Sequence, residues 1–591
     1  MNGATTPDVA RSRSPRRWHW PAWAGLAAVC LFDIWWRGHT IGPTIRDLLG
    51  FAPYPVVAGR AEPLDCDEAA YAYIGLGLGH GQVMYRDLSE NKPPLGYWLY
   101  ALTVAVGGAN ELAIRLMPVV PVVATIALAW GIARRLRGEL AAILAGFLVA
   151  LLTTDPFLYG NGANMEHFLN LFGTAGLAAL LRGWQAPTPG RRRAWFAGAG
   201  ACVALGALVK QVAALDGPLI ALALLLATPP SGLARWRAVA GDWLALAAGF
   251  AGPCLAAALI LLAQGAGPDA VADVVGYGSA LATIKVPDPG APSPWVRWLT
   301  GNADPSGHLP PPFGRTNYLV WWGSGSWPLW LAAVPALLWL ARRSALDRIV
   351  AAWTIAAGVE TVLPGLYWQH YYLLPAPGLA LVLALATSDA GRSVAGSARA
   401  RRPGRFVLAG LAGLALVAAI GGTVRLQVRD YLLVPPEELT TRFKGGGQWV
   451  VLRDLGRELG RRAPLAWPDQ PQPPTLYIWG WQSPLHFYAG LASPTRHFFA
   501  DPLLEDYSRG FHQADPRVRP RVERIARDLA EHPPGLVLVA RPLFPELRRF
   551  LAERGYRRSS ITGMSVTSPD GLGLYVDRQH AAAFERLGRG Q

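Results

Sequence analysis

The chain has 591 residues, of which 52% are hydrophobic and only 16% charged, with a formal net charge of +15. Soluble domains carry roughly 25% charged residues, and the apolar residues here gather into runs of about 17 to 25, enough to cross a bilayer core of roughly 30 Å; a soluble globular class is excluded. The positive charge lies in short clusters between those runs: Arg11/Arg13/Arg16/Arg17, Arg134/Arg135/Arg137, Arg191/Arg192/Arg193, Arg342/Arg343 and Arg399/Arg401/Arg402/Arg405. That is the pattern of cytoplasmic loops, not the single basic face with base-reading groups that a nucleic-acid partner requires.

Residues 1–19 read as a cytoplasmic tail. The apolar run from 20 to 37 resembles a signal peptide, but no A-x-A site follows it. Trp35, Trp36 and Arg37 close it like an interfacial anchor, so it reads as a retained first transmembrane helix. Residues 38–112 are too polar to be all membrane. Later spans fall near 113–133, 139–157, 165–182, 194–209, 212–228, 239–264, 326–341, 347–365, 370–388 and 405–423, about eleven in all with the first. A hairpin turning at Lys210-Gln211 keeps every arginine cluster on one side, with the N-terminus cytoplasmic. The segments 38–112, 158–166, 265–325 and everything after 423 then lie outside.

The tail, 424–591, is charged and proline-rich. Its short apolar runs Leu476–Trp481, Gly535–Val539 and Gly571–Val576 alternate with helix-like stretches such as Trp449–Leu459 and Pro545–Glu553. The expected architecture is therefore an all-α polytopic membrane domain (20–423) followed by a small α/β domain outside the membrane. Cys30, Cys66, Cys202 and Cys254 provide neither a disulfide framework nor a CxxC metal site.

The unusual residues concentrate in 38–112. Asp65-x-x-Glu68 fits a capping box at the start of an amphipathic helix. Asp67 has no part in that box; it lies in the first turn, where the helix dipole favours the ionised form, and a carboxylate there is suited to act as a general base. Further on, Glu90 and Lys92 precede Pro93-Pro94, which can open another helix. On spacing alone, a surface ion pair of little consequence is the favoured reading of Glu90 and Lys92.

The run DEAAYAYIGLGLGHGQVMYRDLSENKPPLGYWLYAL, followed by ELAIRL, resembles the first outer loop of the GT-C glycosyltransferases. The resemblance is to the protein mannosyltransferase-like group and the lipid A aminoarabinose transferases, and it covers roughly residues 20–390. It implies many transmembrane helices, a site on the outer face and a polyprenyl-phosphate sugar donor. It also implies roles residue by residue. Asp67 falls at the acidic catalytic position, with Glu90 and Lys92 in an E-x-K-P element whose lysine meets the donor phosphate. Glu166, in NGANME, stands at the second acidic element. Lys210, in ALVKQVAAL, matches a second phosphate-binding lysine, and His370-Tyr371 resembles a substrate-binding HYxLP element. Independently of the resemblance, an ionisable residue at a membrane span is a functional candidate, although snorkelling remains open for Lys210 and simple packing for His370.

No His/Cys set with zinc spacing occurs, and the later outer stretch Val274–Val286 lacks the metal-holding histidine of the aminoarabinose transferases; a divalent metal stays open. No nucleotide fingerprint of the G-x-G-x-x-G kind follows a strand. The expected function is inverting glycosyl transfer from a polyprenyl-phosphate sugar to a glycan, lipid or protein acceptor at the plasma (inner) membrane. A transporter or flippase is the alternative from another class, and an inactive scaffold presenting the tail is a third.

Overall fold

A computed structural model gives the fold and describes residues 20–41, 61–227, 232–276, 325–363, 368–399, 403–444, 447–499, 518–559 and 573–588. The expectations for the tail 1–19, for part of 38–112 and for most of 265–325 lie outside those residues. Helices occupy the stretches that the apolar runs marked. They run Trp20–Arg37, Val119–Arg137, Glu139–Leu152, Glu166–Trp184, Pro189–Val209, Asp216–Ala227, Gly232–Ala263, Trp327–Ala341, Ala345–Val362, Ala376–Arg399 and Pro403–Gln427. Among the described residues, four are long and apolar enough to cross a bilayer by themselves: Glu111–Arg137, Trp236–Ala263, Gln369–Arg392 and Gly410–Leu432. Their shared core is aliphatic and small-residue-rich, with Ala129, Ala145, Leu148, Leu329, Ala380 and Leu381 fully enclosed. The chain is a multi-pass membrane protein.

Two features of 61–116 depart from the sequence reading. The segment contains an apolar helix, Pro94–Gly107, whose 14 residues extend about 21 Å at 1.5 Å per residue, too short to cross alone. The helix Cys66–Gly79, expected to be amphipathic, is instead buried nearly all round. One side packs on Pro94–Gly107, where Gly75 lets the backbones meet: a Cβ there would stand 2.8 Å from the Tyr100 carbonyl carbon. The other side is covered by the tail. The Tyr73 ring stacks on His486 at 4.7 Å, and the Tyr488 hydroxyl accepts from the Leu64 amide at 2.9 Å. Solvent was the wrong boundary condition for that face.

The tail carries a four-stranded sheet of β1 (Leu476–Trp479), β2 (Leu536–Val539), β3 (Arg557–Arg558) and β4 (Gly573–Val576), in the order β1-β2-β4-β3. β1 and β2 are parallel, with Leu476 opposite Leu536, and β4 runs antiparallel to β2 and β3. The parallel pair requires a crossover, which includes the helices Pro484–Ala489 and Arg519–Glu531. Period-two alternation splits the strands between two cores. Tyr477, Trp479, Val537 and Val539 pack against Arg519–Glu531 and Pro545–Glu553. Leu476, Ile478, Leu536 and Leu538 pack against Gln448–Ala466.

Candidate active site

The capping box forms as its spacing predicts: Asp65 Oδ1 accepts from the Glu68 amide at 3.0 Å, and Glu68 Oε2 accepts from the Asp65 amide at 3.0 Å. It leaves Asp67 in the first turn, part-exposed, and with no hydrogen bond or ion pair among the described residues. A carboxylate without a partner, at the edge of a buried cluster, is free to take a proton.

Around it stand the other expected residues. Glu90 accepts from the Asn91 and Lys92 amides at 2.7 and 3.1 Å, which folds the E-x-K turn, and from the Tyr97 hydroxyl. Lys92 Nζ lies 3.2 Å from Glu90 Oε1 and 5.0 Å from the centre of the Tyr71 ring. Burial alone would lower the lysine's pKa, but the Glu90 and Asp67 carboxylates outweigh it, so the ammonium is held charged above the ordinary lysine range. Lys210 ends the helix Pro189–Val209 in extended backbone, which breaks the chain where the sequence reading placed the turn. Its Nζ pairs with Glu166 Oε1 at 2.6 Å and lies 3.8 Å from the centre of the Tyr371 ring. His370 Nε2 approaches the same Glu166 oxygen at 3.9 Å. The charges of Asp67, Lys92, Lys210 and Glu166 all act on the His370 ring, so Asp67, Glu90, Lys92, Glu166, Lys210, His370 and Tyr371 form one neighbourhood. Nothing in it resembles an exposed surface pair: Lys210 and Glu166 have side chains only 9% and 2% exposed.

The two acidic elements are bonded to each other. The Ala163 amide donates to Glu68 Oε1 at 2.6 Å, and Asn161 Nδ2 donates to Glu62 Oε2 at 2.6 Å. Arg37 clamps the approach to that loop, donating to the Gly160 carbonyl at 2.7 Å and to the Thr153 carbonyl at 2.7 Å. Among the described residues, Tyr85 and Tyr159 are the non-glycine residues with positive φ, at 68° and 54°. Such backbone costs of order 1–3 kcal/mol and persists where the surroundings over-determine it. Both border this neighbourhood: the Tyr85 hydroxyl donates to the Lys92 carbonyl at 2.7 Å, and Tyr159 stacks on His370.

Beneath Asp67 lies a buried ionic cage that sequence reasoning missed. Glu62, Asp65 and Glu68 meet Arg115, whose NH1 is 2.7 Å from Glu68 Oε1, and Lys444, which arrives from the tail side. Burial and the Glu68 charge push the Asp65 carboxyl up, against the pull of Lys444; Arg115 and Lys444 overcome burial to hold Glu68 down. A signal was present: the chain has only four lysines, Lys92, Lys210, Lys285 and Lys444, among 55 basic residues. Lys444 stands in this cage and Lys92 and Lys210 pair with Glu90 and Glu166 in the neighbourhood of His370, while Lys285 lies outside the described residues. Among the described residues, no group of three or more His, Cys, Asp and Glu side chains is arranged to hold a metal ion.

Chemically, the neighbourhood pairs two ammonium groups, able to hold an anion, with one free carboxylate, able to accept a proton. Comparison with known proteins bears on what uses it. Residues 91–256 match the family described as dolichyl-phosphate-mannose-protein mannosyltransferase. The structure of ArnT from Cupriavidus metallidurans in the apo state aligns over 95% of this chain and 99% of its own, with 17% identity and a TM-score of 0.50. The oligosaccharyltransferase of Archaeoglobus fulgidus in its apo form aligns over 88% of this chain and 70% of its own, with 13% identity and a TM-score of 0.51. The same archaeal enzyme, AglB, in complex with an inhibitory peptide and a dolichol-phosphate, aligns over 88% and 69%, with 14% identity and a TM-score of 0.50. No curated protein matches the chain. Together these show a fold like that of ArnT and of the archaeal oligosaccharyltransferase, and a stretch, 91–256, similar to the protein mannosyltransferase family, in line with the resemblance that the motifs carry.

Proposed function

We propose that the chain is a glycosyltransferase that moves a sugar from a polyprenyl-phosphate donor to a hydroxyl of a glycan, lipid or protein acceptor, with inversion. The observation that carries this reading is that the Asp67 carboxylate, which makes no hydrogen bond or ion pair among the described residues, acts by its charge on Lys92 and shares the surroundings of His370 with Lys92 and Lys210. Asp67 takes the acceptor proton as its oxygen attacks the anomeric carbon. The bond from that carbon to the phosphate oxygen breaks, and the polyprenyl phosphate leaves with the electron pair against the two lysines. Glu90 orients Lys92 and Glu166 orients Lys210, each through its ion pair. His370 and Tyr371 border the sugar. The likeness in fold to AglB, described in complex with a dolichol-phosphate, supports a lipid-phosphate ligand. The reaction faces the outside of the plasma membrane, with 424–591 on the same side.

The test is transfer by the purified protein in lipid nanodiscs. A radiolabelled polyprenyl-phosphate sugar is supplied with cell-envelope acceptors, and both labelled product and free polyprenyl phosphate are quantified. Release of polyprenyl phosphate in step with labelled product is expected. Donor movement across vesicles without cleavage would overturn the reading in favour of a flippase.

A further inference from the structure

The cage under Asp67 contains a cation that no motif of the first loop supplies. Lys444 follows the helix Pro436–Phe443, and its backbone is fixed on both sides: its amide donates to the Thr440 carbonyl at 2.8 Å, and its carbonyl accepts from Trp449 Nε1 at 2.5 Å. Its Nζ lies 3.3 Å from Glu62 Oε1, 3.4 Å from Asp65 Oδ2 and 3.7 Å from Glu68 Oε2. The residue is 3% exposed. Neither Nζ nor Glu62 Oε1 makes a hydrogen bond of good geometry. The ammonium is therefore held by charge, near the meeting point of three carboxylates, and bound to none in particular. Among the described residues no group of three or more His, Cys, Asp and Glu side chains is arranged to hold a metal ion, and here the ammonium itself supplies the positive charge among the three carboxylates. Asp65 and Glu68 bracket Asp67 in sequence and cap its helix, so whatever balances their charge also sets where Asp67 stands.

We propose that Lys444 is the built-in counter-cation of this site, a positioning residue that fixes the first turn of Cys66–Gly79, and with it Asp67, in the place of a bound ion. Without Lys444, Arg115 is the one cation among the described residues still paired with Glu62 and Glu68, and Asp65 has none. The catalytic consequence rests on the role proposed for Asp67; the cation-binding consequence does not.

The experiment uses the full-length protein in nanodiscs with Lys444→Ala, which leaves a space the size of an alkylammonium ion among the carboxylates. Turnover should fall about 10²-fold, the scale of misplacing a catalytic group by about 1 Å, with donor Kd unchanged. Millimolar ethylammonium should raise the melting temperature of Lys444→Ala and recover turnover, while leaving the wild type unmoved. Stabilisation of the variant by Mg2+ counts for the same role. Lys444→Ala/Glu62→Gln should regain melting temperature without any added cation, and it keeps the test open should the single variant fold poorly. Wild-type turnover and melting in Lys444→Ala overturn the proposal, as does equal indifference of variant and wild type to both cations. If the wild type itself transfers no sugar, the proposed function fails, and the melting data still decide on Lys444.

Discussion

Replacing Lys210 with methionine tests the contact on which the proposed binding of the donor phosphate rests. At 2.6 Å and an effective dielectric constant of about 20, the attraction between Lys210 and Glu166 is about 6 kcal/mol before desolvation is counted. Desolvation cancels much of it, but removing one partner strands a buried charge and typically costs about 3–5 kcal/mol. Lys210→Met should therefore lower the melting temperature clearly, and weaken donor binding roughly tenfold or more, because a charge-assisted contact to phosphate is lost. Lys210→Met/Glu166→Gln removes both charges at similar volume, so most of the stability should return. Donor affinity should not return, since the ammonium that meets the phosphate is still missing. Thermal unfolding and titration with a polyprenyl phosphate on the same preparations separate the two effects. Recovery of donor affinity together with stability in the double variant would show that Lys210 serves the fold alone.

Asp67→Asn keeps the shape of the helix start but cannot accept a proton, so turnover should fall about 10²–10⁴-fold at unchanged donor Kd. Near-normal turnover would return Asp67 to a merely solvated helix end. Asp65→Asn should be milder in stability, since asparagine also caps well; a loss of turnover there equal to that of Asp67→Asn would misplace the base. Lys92 and Lys444 both have raised pKa values, as neighbouring carboxylates overcome burial. Their contribution to stability is present in full below the ordinary lysine value of 10.5 and is lost only as pH rises through the raised values. The melting-temperature differences that Lys92→Met and Lys444→Met make should accordingly stay constant from about pH 8 to about pH 10, and a difference that vanishes within that range would contradict the cage. For topology, Gly190→Cys should resist an impermeant thiol reagent in intact cells, and Gln579→Cys, on the exposed end of the tail, should react; the reverse result would invert the orientation drawn from the arginines.

The convergence of Asp67, Glu90, Lys92, Glu166, Lys210 and His370 was legible because each sits in a short motif, or at a helix end that the apolar runs already marked. The capping box was legible for the same reason: its bonds span three residues. Glu62, Arg115 and Lys444 were not. The pairing of Lys444 with Glu62 joins positions 382 apart in sequence, as no local pattern does, and the covering of Cys66–Gly79 by His486 and Tyr488 is equally remote. Solvent exposure was inferred for that helix from its polar start, whereas the tail supplies the missing buried face. The helix Pro94–Gly107 was hidden inside a segment judged polar on average, since its 14 apolar residues are diluted by their neighbours.

The choice of lysine itself follows from what each position must touch. Arginine is a planar fork, best matched to one carboxylate or phosphate held in its own plane. Arg115 spreads that fork, with Nη1 on Glu68 and Nη2 on the Pro63 carbonyl. A point among three carboxylates that belong to different parts of the chain offers no such plane, and a compact ammonium on a flexible stem suits it better. The same holds where an ion pair must leave donors free for an incoming anion. Lys210 commits one direction to Glu166 and sets its charge against the Tyr371 ring, and its remaining N–H bonds can turn toward a phosphate. A guanidinium at either place would bind the resident carboxylate in two-pronged fashion and compete with the ligand. In a chain whose basic residues are almost all arginine, Lys210 and Lys444 therefore stand where a point charge suits the surroundings better than a fork.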